Sequence, residues 1–338
     1  MKLSDVPTPA LLIDADVLDQ NLSEMAAALP GPRLRPHVKA HKCTELAKRQ
    51  AAAGHAAFTC ATIRECEGMA AAGLGADLLL ANEVLDTRRL GALVEDGARV
   101  TVAVDSPETI AATVSGGVRE VLIDVNVGLP RCGIPPDKAG QLADQARWQG
   151  LQVRGVMGYE GHVVGLVDGA ERAAKCQESM EQLIAAHADV GGDLISAGGT
   201  GTYAINTWAN EIQAGSYALM DTAYNRLGLP FRQALFVLAT VISTAEGWSV
   251  ANAGLKCFGM DHGTPALDNT EIWFCSDEHT VFASTGFAST GFAPPQQVGA
   301  RVMLLPAHVD PTMAYHDKAY VFRGEDVVEQ WPIDLRGW

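Results

Sequence analysis

The sequence predicts a (β/α)8 barrel followed by a smaller all-β domain, and three observations carry that reading. From about residue 33 to 216, short apolar segments rich in β-branched residues alternate with alanine-rich segments whose apolar residues recur every three or four positions. After about residue 228 the pattern changes to alternation at period two, as in half-buried strands. The 338 residues also exceed the roughly 250–300 at which a single core stops growing. The division expected is a barrel over 10–228 and a β-domain over 229–338 that also takes in residues 1–9.

In chain order, "DADVLDQNLSEMAAAL" (14–29) has helical spacing and leads into the barrel. Eight strands follow: "RLRPHV" (33–38), "AFTCA" (57–61), "DLLLA" (77–81), "VTVAV" (100–104), "EVLIDVN" (120–126), "VRGVMG" (153–158), "DLISA" (193–197) and "EIQAG" (211–215). Between them, segments such as "TELAKRQAAAG" and "ERAAKCQESMEQLIAAHADVG" read as helices, several closing on glycine. The β-domain comprises "ALFVLATVIS" (234–243), "EHTVFAS" (278–284), "RVMLLP" (301–306) and "KAYVFRGEDVVEQWPI" (318–333), the last with a hairpin turn at "RGED". The near-duplicate "FASTGFASTGF" (282–292) reads as a loop with turn chemistry.

Composition narrows the partners. A formal net charge of -15, with Lys and Arg scattered singly, repels polyphosphate and excludes a nucleic-acid binder. Spanning a membrane takes about 20 apolar residues, and the most apolar stretch, "ALFVLATVIS", has ten. An early aspartate argues against a signal peptide, and seven cysteines with no CxxC pair read as reduced, mostly buried thiols. A cytoplasmic protein acting on a small molecule is the expectation.

In a barrel of this kind functional groups gather at the C-terminal ends of the strands. Lys39 follows the first strand, Asn82 and Glu83 the third, Arg131 the fifth, Tyr159 and His162 the sixth, "GGTGT" the seventh, and Ser216 with Tyr217 the eighth. "AGGTGTY" (197–203) offers backbone N–H groups and hydroxyls suited to a phosphate dianion. A glycine turn alone is commonly structural, but with "QAGSY" (213–217) it matches the phosphate site that barrels build from their last two loops. A lysine opposite such a cradle suggests a Schiff base with pyridoxal 5'-phosphate. Within "HVKAHK", strand alternation puts His37 and Lys39 on one face and leaves Lys42 solvated. In "PAHVDPT" (306–312), His308 and Asp310 project the same way from an extended segment. They are suited to Mn²⁺ or a similar divalent ion, with an ion pair or turn cap as the alternative.

Taken in order, "TPALLID", "RPHVKAHKC", "ANEV", "VNVGLPRCG", "AGGTGTY", "QAGSYALMD", "NAGLK", "SDEHT" and "HVDPTMAYHD" resemble the D-threonine aldolase / D-serine dehydratase family of fold-type III pyridoxal-phosphate enzymes, relatives of alanine racemase, over nearly the whole chain. The resemblance implies a homodimer sharing its active sites. It also implies Lys39 as the Schiff-base lysine, Arg131 near the phenolic oxygen of the cofactor, and Tyr159 beside its ring. Gly199, Thr200, Gly201, Gly215, Ser216 and Tyr217 would hold the phosphate, and His308 and Asp310 a divalent metal, Mn²⁺ ahead of Mg²⁺ or Zn²⁺. The implied reaction splits D-β-hydroxy-α-amino acids into glycine and an aldehyde; alternatives are dehydration of D-serine or D-3-hydroxyaspartate, and a non-catalytic pyridoxal-phosphate protein. His-x-Asp, where the dehydratase branch carries His-x-Cys, leans toward the aldolase. The chain departs from the family at Gly165, a common histidine position for which the nearby His162 would substitute, and at Asn252, where aspartate is commoner.

Overall fold

Strand β1 (Ala10–Asp14) and helix α1 (Ala15–Ala28) open the chain in the computed structural model, which describes residues 1–285 and 296–338. Seven parallel strands follow: β2 (Phe58–Cys60), β3 (Leu78–Leu80), β4 (Val100–Val104), β5 (Glu120–Asp124), β6 (Gln152–Gly158), β7 (Leu194–Ala197) and β8 (Glu211–Ile212). They pair in sequence order, each with the next, as βα units dictate. Helix α2 (Thr44–Ala52) precedes β2, and between the strands lie α3 (Ile63–Ala71), α4 (Arg88–Glu95), α5 (Pro107–Ser115), α6 (Ala139–Trp148) and α7 (Gly169–Val190). Caps mark their starts: the Thr62 hydroxyl accepts the Glu65 N–H, Ser106 caps α5 ahead of Pro107, and the Asp168 carboxylate accepts from Ala170 and Glu171. Phe58, Leu78, Leu80, Val100 and Val102 form one buried cluster with Cys66 and Met69 of α3.

The first of the eight expected barrel strands is not a strand. Residues 34–37 meet β8 and β2 only through single parallel bridges, Leu34 to Ile212 and His37 to Thr59. Pro36 has no N–H to donate, and 3-10 turns at Gly31–Arg33 and Val38–Ala40 leave too short an extended run for a ladder. The parallel sheet is therefore seven-stranded and curled, an open version of the barrel expected. Helix α4 escaped the sequence reading because Gly91 sits in its middle. A Cβ there would come within 1.7 Å of the Gly116 carbonyl, so close packing demands the glycine.

A second, antiparallel sheet is built from β9 (Leu235–Ala245), β10 (Trp248–Ala251), β11 (Thr270–Cys275), β12 (Thr280–Ser284), β13 (Arg301–Leu304), β14 (Lys318–Arg323) and β15 (Asp326–Pro332), with short helices α8 (Thr222–Asn225) and α9 (Val309–Tyr315). Strand β1 joins it, antiparallel to β9 and parallel to β14, so Leu12 packs with Leu238, Tyr320 and Phe322. By compactness one unit is Met1–Leu22 with Ser216–Asp334 and the other Ser23–Gly215 with Leu335–Trp338. The β-unit thus takes in more of the N-terminus than nine residues, because β1 completes its sheet. The hairpin at "RGED" is present as β14 and β15. Of "FASTGFASTGF", residues 282–284 belong to β12 and those from 286 on lie outside the described residues. None of the seven cysteines forms a disulfide, five of them are buried, and among the described residues no helix is long and apolar enough to cross a membrane.

Asn252, the departure from the family pattern, is explained within the β-unit. Its Oδ1 accepts the Thr240 N–H at 2.7 Å, and its Nδ2 donates to the Thr8 carbonyl and hydroxyl at 3.3 and 3.1 Å. An aspartate would set an acceptor against the Thr8 carbonyl.

The parallel-sheet unit carries a buried ionic layer. Arg35, with 2% of its side chain exposed, pairs with Glu211 at 2.8 Å and Asp77 at 3.2 Å, and Arg154 reaches Asp77 at 2.9 Å. Burial alone would raise the Asp77 pKa, but the hydrogen bond from Arg154 and the charge of Arg35 prevail and take it from 3.8 to about 2. The folded-state value lies below the unfolded one, so the stabilisation is complete above the unfolded pKa and disappears as the pH falls toward 2. Asp77→Asn is expected to cost about 2 kcal/mol at neutral pH. In urea titrations, the gap between variant and native protein should close between about pH 4 and pH 2; a gap that persists at pH 2 contradicts the assignment.

Candidate active site

The crowded stretch "HVKAHK" resolves into four separate jobs. His37 precedes the 3-10 turn Val38–Ala40, and its Nδ1 accepts the Lys39 N–H at 3.5 Å. Burial, then the charges of Lys39 and Lys42, push the His37 pKa well below its usual value, so the ring is a neutral acceptor. His41 is fully buried: its Nδ1 accepts the Cys43 N–H and its Nε2 meets Gln50 at 3.3 Å, a structural pairing. Lys42 is not solvated as expected. With φ at 48°, it turns its ammonium onto the buried Glu65 carboxylate, which also accepts the Ala61 N–H at 2.6 Å. The reason is that the chain turns at residues 38–42 instead of running on extended. The ion pair engages Lys42 within the fold, and Lys39 stays the candidate nucleophile that the sequence points to.

The turn bearing Lys39 abuts the end of the sheet. A Cβ on Gly215 would fall 2.5 Å from the His37 carbonyl, so glycine alone permits that approach. Within the same unit the loops after β5, β6 and β7 converge. The guanidinium of Arg131 lies 5.4 Å from the centre of the Tyr159 ring, a cation–π distance. A Cβ on Gly199 would touch Tyr159 Cε2 at 3.5 Å, and one on Gly128 would strike the His162 imidazole at 2.9 Å. Arg131, Tyr159, His162 and Gly199 thus form one neighbourhood. Gly165 has no atom within 4 Å of its Cβ position.

The glycine loop is shaped from below by a residue the sequence reading did not single out. Glu160, fully buried, accepts from the Gly198 N–H at 3.1 Å, the Thr202 hydroxyl at 2.8 Å and the Asn206 amide at 3.2 Å. The Gly199 N–H is engaged inside the loop by the Thr202 hydroxyl at 3.2 Å. Gly201 is obligatory, since a Cβ would lie 1.8 Å from the Val164 carbonyl. Behind Arg131, burial and then the Glu83 carboxylate raise the Asp124 pKa well above the usual range, and Glu83 lifts the Cys132 thiol to about 11. Asp124 lay inside the expected strand 120–126 and was not singled out; only the folded sheet brings it to Glu83.

In the β-unit, Ser216 and Tyr217 occupy a 3-10 turn, with the buried Tyr217 ring 5.6 Å from that of Phe231. His308 stands at the N-cap position of α9, and its Nδ1 lies 2.7 Å from the Asp261 carboxylate. The His262 ring stacks on it at 3.9 Å and 10°. Donor atoms of Asp261, His262 and His308 lie within 4.8 Å of one another, a nitrogen and oxygen set that fits a divalent cation. Asp310 is in the first turn of α9, so the segment after His308 is helical and not extended. Beneath it, Asp221 accepts the Val309 N–H at 2.9 Å, its own pKa raised by burial. Asp261 and His262 went unnoticed because 47 residues separate Asp261 from His308; the adjacent "DH" was the available signal.

The family description "Alanine racemase, N-terminal domain" matches residues 13–223, and "Putative serine dehydratase domain" matches residues 234–322. The chain is 35% identical to a D-threonine aldolase of Arthrobacter sp, covering 99% of this chain and 94% of that one. It is 32% identical to a 3-hydroxy-D-aspartate aldolase of Paracoccus denitrificans, covering 100% and 94%. The crystal structure of a D-threonine aldolase from Filomicrobium marinum superposes with a TM-score of 0.91 at 34% identity, over 99% of this chain and 97% of that one. With both halves matched and the likeness running end to end, the chain belongs to the D-threonine aldolase / D-serine dehydratase family of fold-type III pyridoxal-phosphate enzymes.

Proposed function

We propose that the chain is a lyase, dependent on pyridoxal phosphate and a divalent metal, that splits D-β-hydroxy-α-amino acids such as D-threonine into glycine and an aldehyde. The observation that carries this reading is the meeting of Arg131, Tyr159 and Gly199 at the strand ends, in the same unit as the Lys39 turn packed against Gly215. The names of the relatives agree with it. Lys39 would hold the cofactor aldehyde, Tyr159 would lie by the ring and Arg131 by its phenolic oxygen. Gly199, Thr200, Gly201, Gly215, Ser216 and Tyr217 would take the phosphate. The need for glycine at 201 and 215 marks loops built for close approach. His308 and Asp310 would hold the cation, Mn²⁺ first, with Asp261 orienting the His308 ring. When bound, the pyridine ring supplies an electron sink and the cation supplies Lewis acidity. His162, fixed over Gly128, would take the proton of the substrate β-hydroxyl. A cytoplasmic homodimer, with residues 34–37 serving as the eighth barrel stave, belongs to the same reading.

The match of residues 234–322 to a serine dehydratase domain favours one alternative, in which Lys39 removes the α-proton and hydroxide departs. Product identity decides between them. D-threonine with Mn²⁺ is expected to give acetaldehyde and glycine in equal amounts; 2-oxobutyrate and ammonia would establish the dehydratase, and no turnover at all a non-catalytic binder.

A further inference from the structure

Glu160 offers a carboxylate with two acceptor oxygens, and four donors of this chain converge on it. The Thr202 hydroxyl, the Asn206 amide and the Cys176 thiol address Oε1 at 2.8, 3.2 and 3.8 Å, and the Gly198 N–H addresses Oε2 at 3.1 Å. Thr202 in turn accepts the Gly199 N–H, so one buried side chain governs two consecutive peptide N–H groups of the glycine loop, directly and through a hydroxyl. The same residue directly follows Tyr159, whose ring packs by Gly199. Adjacent positions at the end of β6 therefore serve two tasks, one on the ring side of the loop and one beneath it.

We propose that Glu160 is the positioning residue for a phosphate monoester: it presets the shape of residues 198–206, so that the phosphate tail of the cofactor meets a loop already formed. Placing a negative side chain near a dianion site looks counterproductive. It is not, because four donors from inside the protein meet the carboxylate, three at Oε1 and one at Oε2. The charge is spent on the loop. A loop ordered in advance leaves less conformational freedom to be lost on binding. The inference rests on the pyridoxal-phosphate reading of the preceding section.

Glu160→Gln keeps the volume but turns one acceptor into a donor, which must face either the Gly198 N–H or the three donors at Oε1. Titration of apo-protein with pyridoxal phosphate, followed by absorbance, is expected to show affinity lower by about 10- to 100-fold, the scale of a charge-assisted hydrogen bond. Affinity for pyridoxal, which lacks the phosphate, should be unchanged. Equal losses for both aldehydes would make Glu160 a general structural residue and overturn the proposal, as would an unchanged affinity for pyridoxal phosphate. Should Glu160→Gln fail to fold, Thr202→Val removes the hydroxyl between Glu160 and Gly199, and the same pair of titrations decides. Native protein that binds neither aldehyde would overturn the cofactor reading itself, so the two failures are distinguishable.

Discussion

Lys39→Ala is expected to remove the visible absorbance of protein-bound cofactor and to lower turnover by roughly 10⁴- to 10⁶-fold, the scale seen when a covalent nucleophile is deleted. Nothing else in "HVKAHK" can replace it: His37 is held as a neutral acceptor, His41 is buried against Gln50, and Lys42 is paired with Glu65. The control is Lys42→Ala. It should keep the absorbance and lose stability instead, by about 3–5 kcal/mol, because Glu65 would be left as an uncompensated buried charge. Absorbance spectra and urea unfolding of the two variants separate the roles. If Lys42→Ala loses the colour and Lys39→Ala keeps it, the assignment is reversed.

Removing the proposed ligands of the cation should show the opposite pattern, with colour retained and turnover lost. His308→Ala and Asp310→Ala are each expected to reduce turnover on the order of 10³-fold, several kcal/mol of transition-state stabilisation by a Lewis acid. EDTA should do the same to the native protein, reversibly on addition of Mn²⁺. The structure adds Asp261, whose carboxylate lies 2.7 Å from His308 Nδ1, so that Nε2 is the nitrogen that would face the proposed cation. Asp261→Asn is expected to weaken Mn²⁺ binding about 10- to 100-fold in equilibrium dialysis, with the cofactor absorbance intact. Full Mn²⁺ affinity in His308→Ala would place the cation elsewhere.

Much of this site was legible in the sequence because its parts fall at strand ends, where a βα rhythm tells the reader which loops share a face. Lys39, Arg131, Tyr159 and the glycine loop were singled out that way as candidates, and three of those loops do meet in Arg131, Tyr159 and Gly199. The errors arose where local geometry broke the rhythm. Pro36 and its flanking turns cut a strand down to two bridges, and the turn at Val38–Ala40 carried Lys42 toward Glu65. Glu160, Asp124, Asp261 and His262 were missed because each matters through a partner distant in the chain. No spacing rule connects His308 to a residue 47 positions earlier.

By itself the sequence determined the alternation of strands and helices and the change to an antiparallel sheet, and it pointed to the lysine turn and the glycine loops as candidates, since periodicity and backbone permissiveness are local properties. Tertiary structure alone decided that β1 completes the second sheet, that Lys42 is neutralised by Glu65, and that Glu160 underlies the glycine loop. Each of these depends on burial. A buried charge or peptide group must find a partner wherever the fold supplies one, and that partner is fixed by packing and not by position in the chain.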